Sequence, residues 1–430
     1  MRYQTIHNDL FKRNRKKLSD RLEGKSIAIL NANDEMPRNG DQYHRFRQNS
    51  DLFYLTGIEQ EKSILLLAPG FPEKQYHEIL FIRKSNRELE TWEGHKLTAE
   101  EARKISGIKT ILYLEDFDQI VQNLQAGCNT FYLNANEYPK FITDVESRDS
   151  RMTMYLKEKY PLHEYARLAP VLWDLRCIKE SEELALIETA CNITETAFLK
   201  VLNYLQAGMY EYEVEAQLNY EFTRRGSSGP AYAPIVASGK NACTLHYVSN
   251  DMKCKDGDLL LLDFGAEYAN YSADCSRTIP VNGKFTSRQR ECYEAVLRVF
   301  KKAKKLFVPG NTIRLVNKQV SKLIEDELIV LGLICKEDIE NQDANHPLYM
   351  KYFMHGTSHF MGLDVHDPGD KDKPFEKGMV LTCEPGIYIK EEGIGIRIEN
   401  DILVDEMPKD FMENIPLEIE EIENLMKRKY

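Results

Sequence analysis

Tyr352-Phe353-Met354-His355-Gly356-Thr357-Ser358-His359-Phe360-Met361-Gly362-Leu363-Asp364-Val365-His366-Asp367 gathers three of the chain's ten histidines within twelve positions, and its reading decides what the fold around it must do. Gly356 and Gly362 argue against a helix. Met361, Leu363 and Val365 alternate with Gly362, Asp364 and His366, the spacing of a strand with one apolar face. Imidazoles near the ends of such a strand mark either a site or three satisfied structural histidines. The stretch alone leaves both readings open.

Acids elsewhere in the chain bear on the choice. Asp263 ends the apolar run Leu259-Leu260-Leu261-Leu262, where a carboxylate is costly to bury without compensation. Asp274 follows eleven positions later, and residues 265–270 can turn the chain so that a hairpin sets the two acids side by side. The bland alternative is an Asp274–Arg277 ion pair with Asp263 capping a turn. Glu384 follows Val380-Leu381-Thr382-Cys383. Glu399 shares a strand face with Arg397, Ile396 and Ile398 lying on the other. A lone acid beside an arginine is an ordinary ion pair.

The set is harder to explain away. Two like charges 4 Å apart at an effective dielectric of 20 repel by about 4 kcal/mol. Four carboxylates converging with His359 therefore need cations, and two divalent ions balance them. Oxygen ligands with one imidazole suit Mn²⁺, with Co²⁺, Fe²⁺ or Zn²⁺ as competitors. Such a metal pair can activate a water and polarise a carbonyl. Cys275 and Cys383, next to two of these acids, point to the opposite strand face and read as packing.

Working outward, residues 5–170 read as mixed α/β. A basic helix over about 5–22 is followed by strands at 26–30, 53–55, 64–68, 79–82, 110–114 and 130–133, with a helix near 98–105. Arg47, Trp92 and His95 are the polar and aromatic residues of note there, and each reads as structural. A boundary near Ala169-Pro170 divides the chain into domains 1–170 and 171–430. Beyond it, helices over about 181–205 and 212–225 precede strands at 234–237, 259–264 and 276–280. Thr286 and Gln289 then form a capping-box pattern, and helices to 309 and over about 312–331 precede strands reaching 404. Helix, helix, strands occurs twice, which predicts two related α/β halves with a site between them. Residues 419–430 read as a charged, partly helical tail.

Composition narrows the partners. A net charge of −11 argues against nucleic acid or an anionic membrane as the main partner. No apolar run approaches the roughly 20 residues of a membrane span. Residues 1–21 hold no uninterrupted apolar segment, so no secretory signal is expected. The nine cysteines are scattered, which fits reduced thiols in the cytoplasm rather than structural zinc.

The order Asp263, Asp274, His359, Glu384, Glu399 resembles the five-ligand pattern of the creatinase, prolidase and methionine aminopeptidase superfamily, metallopeptidase family M24. The motifs carrying the resemblance are Leu262-Asp263-Phe264-Gly265, Ala273-Asp274, His355-Gly356-Thr357-Ser358-His359, Glu384-Pro385-Gly386-Ile387-Tyr388 and Arg397-Ile398-Glu399. The segment Arg47-Gln48-Asn49-Ser50-Asp51-Leu52-Phe53-Tyr54-Leu55-Thr56-Gly57 is similar to the N-terminal domain of bacterial aminopeptidases P, so the resemblance spans nearly the whole chain.

It implies an α/β (α+β) chain: a mixed α/β N-terminal domain, then a pita-bread catalytic domain with two pseudo-symmetric halves. It implies a dinuclear centre with Asp263 on one metal, Asp274 and Glu399 bridging, and His359 and Glu384 on the other. Glu384 would carry the proton of a metal-bridging hydroxide. His246 and His366 would hold the substrate, His355 would line the prolyl pocket, and Tyr232 and Arg397 would support the carboxylates. The implied reaction is release of an N-terminal residue from peptides with proline second, by a homodimer or homotetramer. The alternative is a dipeptidase restricted to Xaa-Pro. Methionine aminopeptidases generally lack this N-terminal domain, and metal-free relatives have lost ligands that all stand here.

Overall fold

In a computed structural model of the chain, residues 2–343 and 345–427 are described. The chain divides into two compact units, residues 4–176 and, with the first residues of the chain, 177–430.

The first unit is built on a six-stranded mixed sheet in the order Thr110–Tyr113, Glu78–Ile82, Ile64–Leu67, Ser26–Asn31, Thr130–Leu133, Glu164–Arg167. Ile27, Ile29, Leu66, Phe81 and Phe131 are among the residues that fill its core. The strand expected at 53–55 is instead a helix, Ser50–Thr56, capped by the Asn49 side chain, which accepts from the Asp51 and Leu52 amides. Leu52, Phe53, Tyr54 and Leu55 are all buried, and a short helix apolar all round has no periodicity to separate it from a strand. Trp92 is exposed, His95 Nε2 lies 2.9 Å from a Glu101 carboxylate oxygen, and Arg47 donates to the Gln48 carbonyl.

The second unit opens with the helices Ser181–Tyr204 and Glu211–Arg224, followed by an antiparallel sheet of Ile235–Ser238, Leu259–Phe264 and Cys275–Pro280. Asp263 stands opposite Ser276 in this sheet. Between its last two strands, a hairpin turns at Ala269 and Asn270, both at positive φ (52° and 68°), as a two-residue primed turn requires. Gly265 makes the hairpin possible: a Cβ there would lie 1.7 Å from the Ala273 carbonyl oxygen.

The helix pair recurs as Ser287–Ala303, started by the Thr286–Gln289 capping box, and Ile313–Val330. Strands return at Val380–Cys383, paired with Asn400–Leu403, whose other edge takes Lys409–Asp410, and at Gly386–Ile389, paired with Ile394–Arg397. Before them, the described part of 331–379 holds two short helices, Lys336–Glu340 and Leu348–Lys351, and otherwise irregular chain, not the expected strands.

The histidine stretch belongs to that irregular chain. Its alternation predicts a strand, but only one bridge forms, Phe360 to Leu381. Single hydrogen bonds tether the rest alongside 380–384: Met361 N–H to the Val380 carbonyl, Thr382 N–H to His359, and Glu384 N–H to Thr357. Another bridge, Ser276 to Glu399, joins the sheets of the two halves. The fully buried Arg277 sits behind it, donating to the carbonyls of Ser276, Glu399 and Pro416 and to Asn400 Oδ1. Arg277 is therefore not the ion-pair partner of Asp274. No helix among the described residues is long and apolar enough to cross a membrane.

Candidate active site

One cavity of about 310 Å³ in the second unit is lined by Tyr232, His246, Asp263, Asp274, His355, His359, His366, Glu384, Arg397 and Glu399, the ten residues singled out above, together with Ala233, Ile235, Leu245, Val248 and Val365. The hairpin at 269–270 does bring its two acids together: the Tyr232 hydroxyl lies 2.6 Å from Asp263 Oδ1 and 2.5 Å from Asp274 Oδ1. A phenol carries one proton, so both contacts are hydrogen bonds only when one carboxyl is itself protonated.

His359 stands across from this pair. Its Nδ1–H is placed to donate to the Phe360 carbonyl at 3.0 Å, which turns Nε2 toward Asp274 Oδ2 (3.4 Å) and Glu384 Oε1 (3.8 Å). Ligand atoms of Asp274, His359 and Glu399 all lie within 4.8 Å of one another. Arg397 closes the opposite side, donating to Asp263 Oδ2 (2.6 Å), Ser276 Oγ (2.8 Å) and the Tyr388 hydroxyl (2.8 Å). The Ser276 hydroxyl passes the contact on to Glu399 Oε2 at 2.7 Å.

Protonation follows from this crowding. Burial and the neighbouring acids push Glu399 well above the carboxylate range. Burial raises Glu384 to about 7, with Asp274 adding to the effect and His359 opposing it. Burial likewise raises Asp263, against the pull of Arg397. For His359, burial alone would lower the value, but Asp274 and Glu384 override it and raise it to about 9. Crowded and buried together, these acids hold protons more tightly than free carboxyls do. His355 differs: burial and the Arg397 charge lower it to about 3, so its ring is neutral. A hydrogen-bond chain fits that form, from Arg397 to the Tyr388 oxygen, from the Tyr388 hydroxyl to His355 Nε2, and from His355 Nδ1–H to the Gly356 carbonyl.

The donor set suits a hard divalent metal: carboxylate oxygens in excess, one imidazole nitrogen oriented by a backbone carbonyl, and a guanidinium behind. His246 and His366 are exposed at the cavity, and the His366 ring meets that of His359 edge-on at 4.3 Å. Ser276, Tyr388 and Asp401 were not legible as site residues. Ser276 and Asp401 each sit two positions beyond a singled-out acid, the spacing that keeps a strand residue on the same side. Asp401 accepts the Asp274 amide at 3.0 Å. Burial raises Asp401 and the Cys275 and Cys383 thiols far above their ordinary values.

The profile of metallopeptidase family M24 matches residues 185–406, which include all ten residues, and that of the aminopeptidase P N-terminal domain matches residues 11–134. The chain belongs to metallopeptidase family M24. As a member it is a metallo-exopeptidase in which an aminopeptidase P N-terminal domain precedes the M24 domain. It is 35% identical to the Xaa-Pro aminopeptidase of Escherichia coli (strain K12), over 98% of each chain. Among solved structures it resembles a putative aminopeptidase P from Bacillus anthracis, with a TM-score of 0.92 at 36% identity over 99% of both chains. It also resembles a Zn-substituted E. coli aminopeptidase P in complex with product, with a TM-score of 0.88 at 34% identity over 99% of this chain and 100% of that one.

Proposed function

We propose that the chain is a dinuclear metal-dependent aminopeptidase that hydrolyses the bond between an N-terminal residue and a penultimate proline. The observation that carries this reading is the convergence of Asp263, Asp274, His359, Glu384 and Glu399 in one cavity, three of them with ligand atoms within 4.8 Å. Those five would hold two divalent cations, Mn²⁺ by preference, with Co²⁺, Fe²⁺ or Zn²⁺ able to compete. When bound, such ions supply Lewis-acid polarisation of the scissile carbonyl and lower the pKa of a water.

The chain's own groups do the rest. Glu384, buried in the cavity, takes a proton from the nucleophile and returns one to the departing proline nitrogen. Arg397 and Tyr232 hold the Asp263 carboxylate in place. His246 and His366 bind the peptide on either side of the scissile bond, and the neutral His355 lines the prolyl side. Ile235, Leu245, Val248 and Val365 give apolar wall to a proline ring that offers no N–H. The same reading makes the protein a cytoplasmic homodimer or homotetramer, in keeping with nine free cysteines.

Turnover of an Xaa-Pro-Pro tripeptide against an Xaa-Pro dipeptide, with metal analysis of the active protein, tests the proposal. Tripeptide cleavage with about two metal ions per chain is expected. Cleavage of the dipeptide alone would point to a dipeptidase, and full activity in chelator would remove the dinuclear reading.

A further inference from the structure

One residue along the chain from His366, a buried ion pair lies outside the set of groups described so far. Lys179 Nζ is 3.2 Å from Asp367 Oδ2, and both side chains are only 1% exposed. Removing two charges from water is expensive, so this pair needs good geometry and further hydrogen bonds to persist. It has them. Asp367 Oδ1 accepts the Asp364 amide at 3.1 Å, and the Asp367 amide donates back to the Phe360 carbonyl at 2.9 Å. The Lys179 amide donates to the Gly378 carbonyl.

These contacts close residues 360–367 into a loop with the Asp367 carboxylate at its centre. The loop carries His366 and Val365 into the cavity and begins one residue after His359. It is tied from a second side, where the Ser272 amide donates to the Gly362 carbonyl. The fit at Gly362 is tight: a Cβ there would lie 2.8 Å from Asp367 Oδ2 and 2.9 Å from Lys179 Cε.

We infer that Lys179 and Asp367 are positioning residues whose buried ion pair fixes the His366 imidazole against His359 for catalysis. The inference rests on the reading of His366 as a peptide-binding group. An adjacent side chain locked in the core sets the backbone from which His366 projects, and a displacement of about 1 Å far from the chemistry can cost about 100-fold in rate. The two members act together: removing one partner of a buried ion pair costs more than replacing both by a neutral pair of similar shape.

The test is a double variant, Lys179→Met with Asp367→Asn, made in the full-length metal-loaded enzyme and again in a His366→Ala background. The Asn side chain keeps the oxygen that accepts the Asp364 amide. The expected result is a loss of about 10- to 100-fold in kcat/KM on a Xaa-Pro-Pro tripeptide, carried by kcat, with metal content and melting temperature close to the parent. In the His366→Ala background the same double variant should cost nothing further. A second variant, Gly362→Ala, displaces the pair without removing charge and should show the same dependence on His366. Near-parental turnover of the double variant would overturn the inference, as would a loss that multiplies in full with that of His366→Ala. If His366→Ala itself leaves turnover unchanged, the reading of His366 falls and the inference with it. A damaging His366→Ala beside a silent double variant sinks the inference alone.

Discussion

At the residue scale the site depends on acids that repel each other. Asp274→Asn and Glu399→Gln each remove one negative charge from the cluster and one oxygen able to bind a cation. Each is expected to lower bound metal below the parental content and turnover by at least about 100-fold, measured by elemental analysis and peptide hydrolysis. Ser276→Ala tests the support behind them. Its hydroxyl accepts from Arg397 and donates to Glu399, so the variant leaves a buried guanidinium N–H unpaired. A stability loss of about 1–3 kcal/mol is expected, with metal affinity about tenfold weaker. The acids were legible because carboxylates in apolar strand runs demand compensation. Ser276 and Tyr388 were not, because a hydroxyl in a strand is unremarkable until its partner from another strand is known.

At the element scale, local chemistry was readable where it carries its own signal and misleading where it does not. The turn between Asp263 and Asp274 follows from the chain's need to reverse between two strands. The Thr286–Gln289 cap is readable in four residues. The Ser50–Thr56 helix was not legible although Asn49 is a good N-cap, because the apolar residues after it fill every face. The histidine stretch alternates like a strand, yet closure of its loop around Asp367 overrides that pattern, and no local rule reports a contact with Lys179. The hairpin turn offers a test of its own. Ala269 is held at φ 52°, a conformation costing an L-residue about 1–2 kcal/mol, whereas glycine gives back about 0.5–1 kcal/mol in backbone entropy. Ala269→Gly is therefore expected to stabilise the fold by up to about 1 kcal/mol in chemical denaturation, with activity unchanged.

At the scale of the whole molecule, the cavity couples metal binding to stability through protons. In the metal-free protein His359 is raised from its ordinary 6.5 to about 9, and Glu384 to about 7. A group with a raised folded value binds its proton more tightly in the folded chain than in the unfolded one. The stability that this contributes is present in full below the unfolded pKa and disappears as pH rises through the folded pKa. For Glu384 the loss runs from its ordinary 4.5 up to about 7 and for His359 from 6.5 up to about 9, so between pH 7 and 9 the loss comes from His359. His355, lowered to about 3, is neutral in both states across that window and does not oppose it. A tenfold difference in proton affinity between the folded and unfolded chain is worth about 1.4 kcal/mol, so the metal-free protein is expected to lose a few kcal/mol of stability from pH 7 to pH 9. Bound cations take the place of those protons and add stability by mass action. Thermal melts of chelator-treated protein should therefore fall over this window, and the same melts with saturating Mn²⁺ should stay level and lie higher. Parallel slopes with and without metal would show that the cavity acids are not what the cation neutralises.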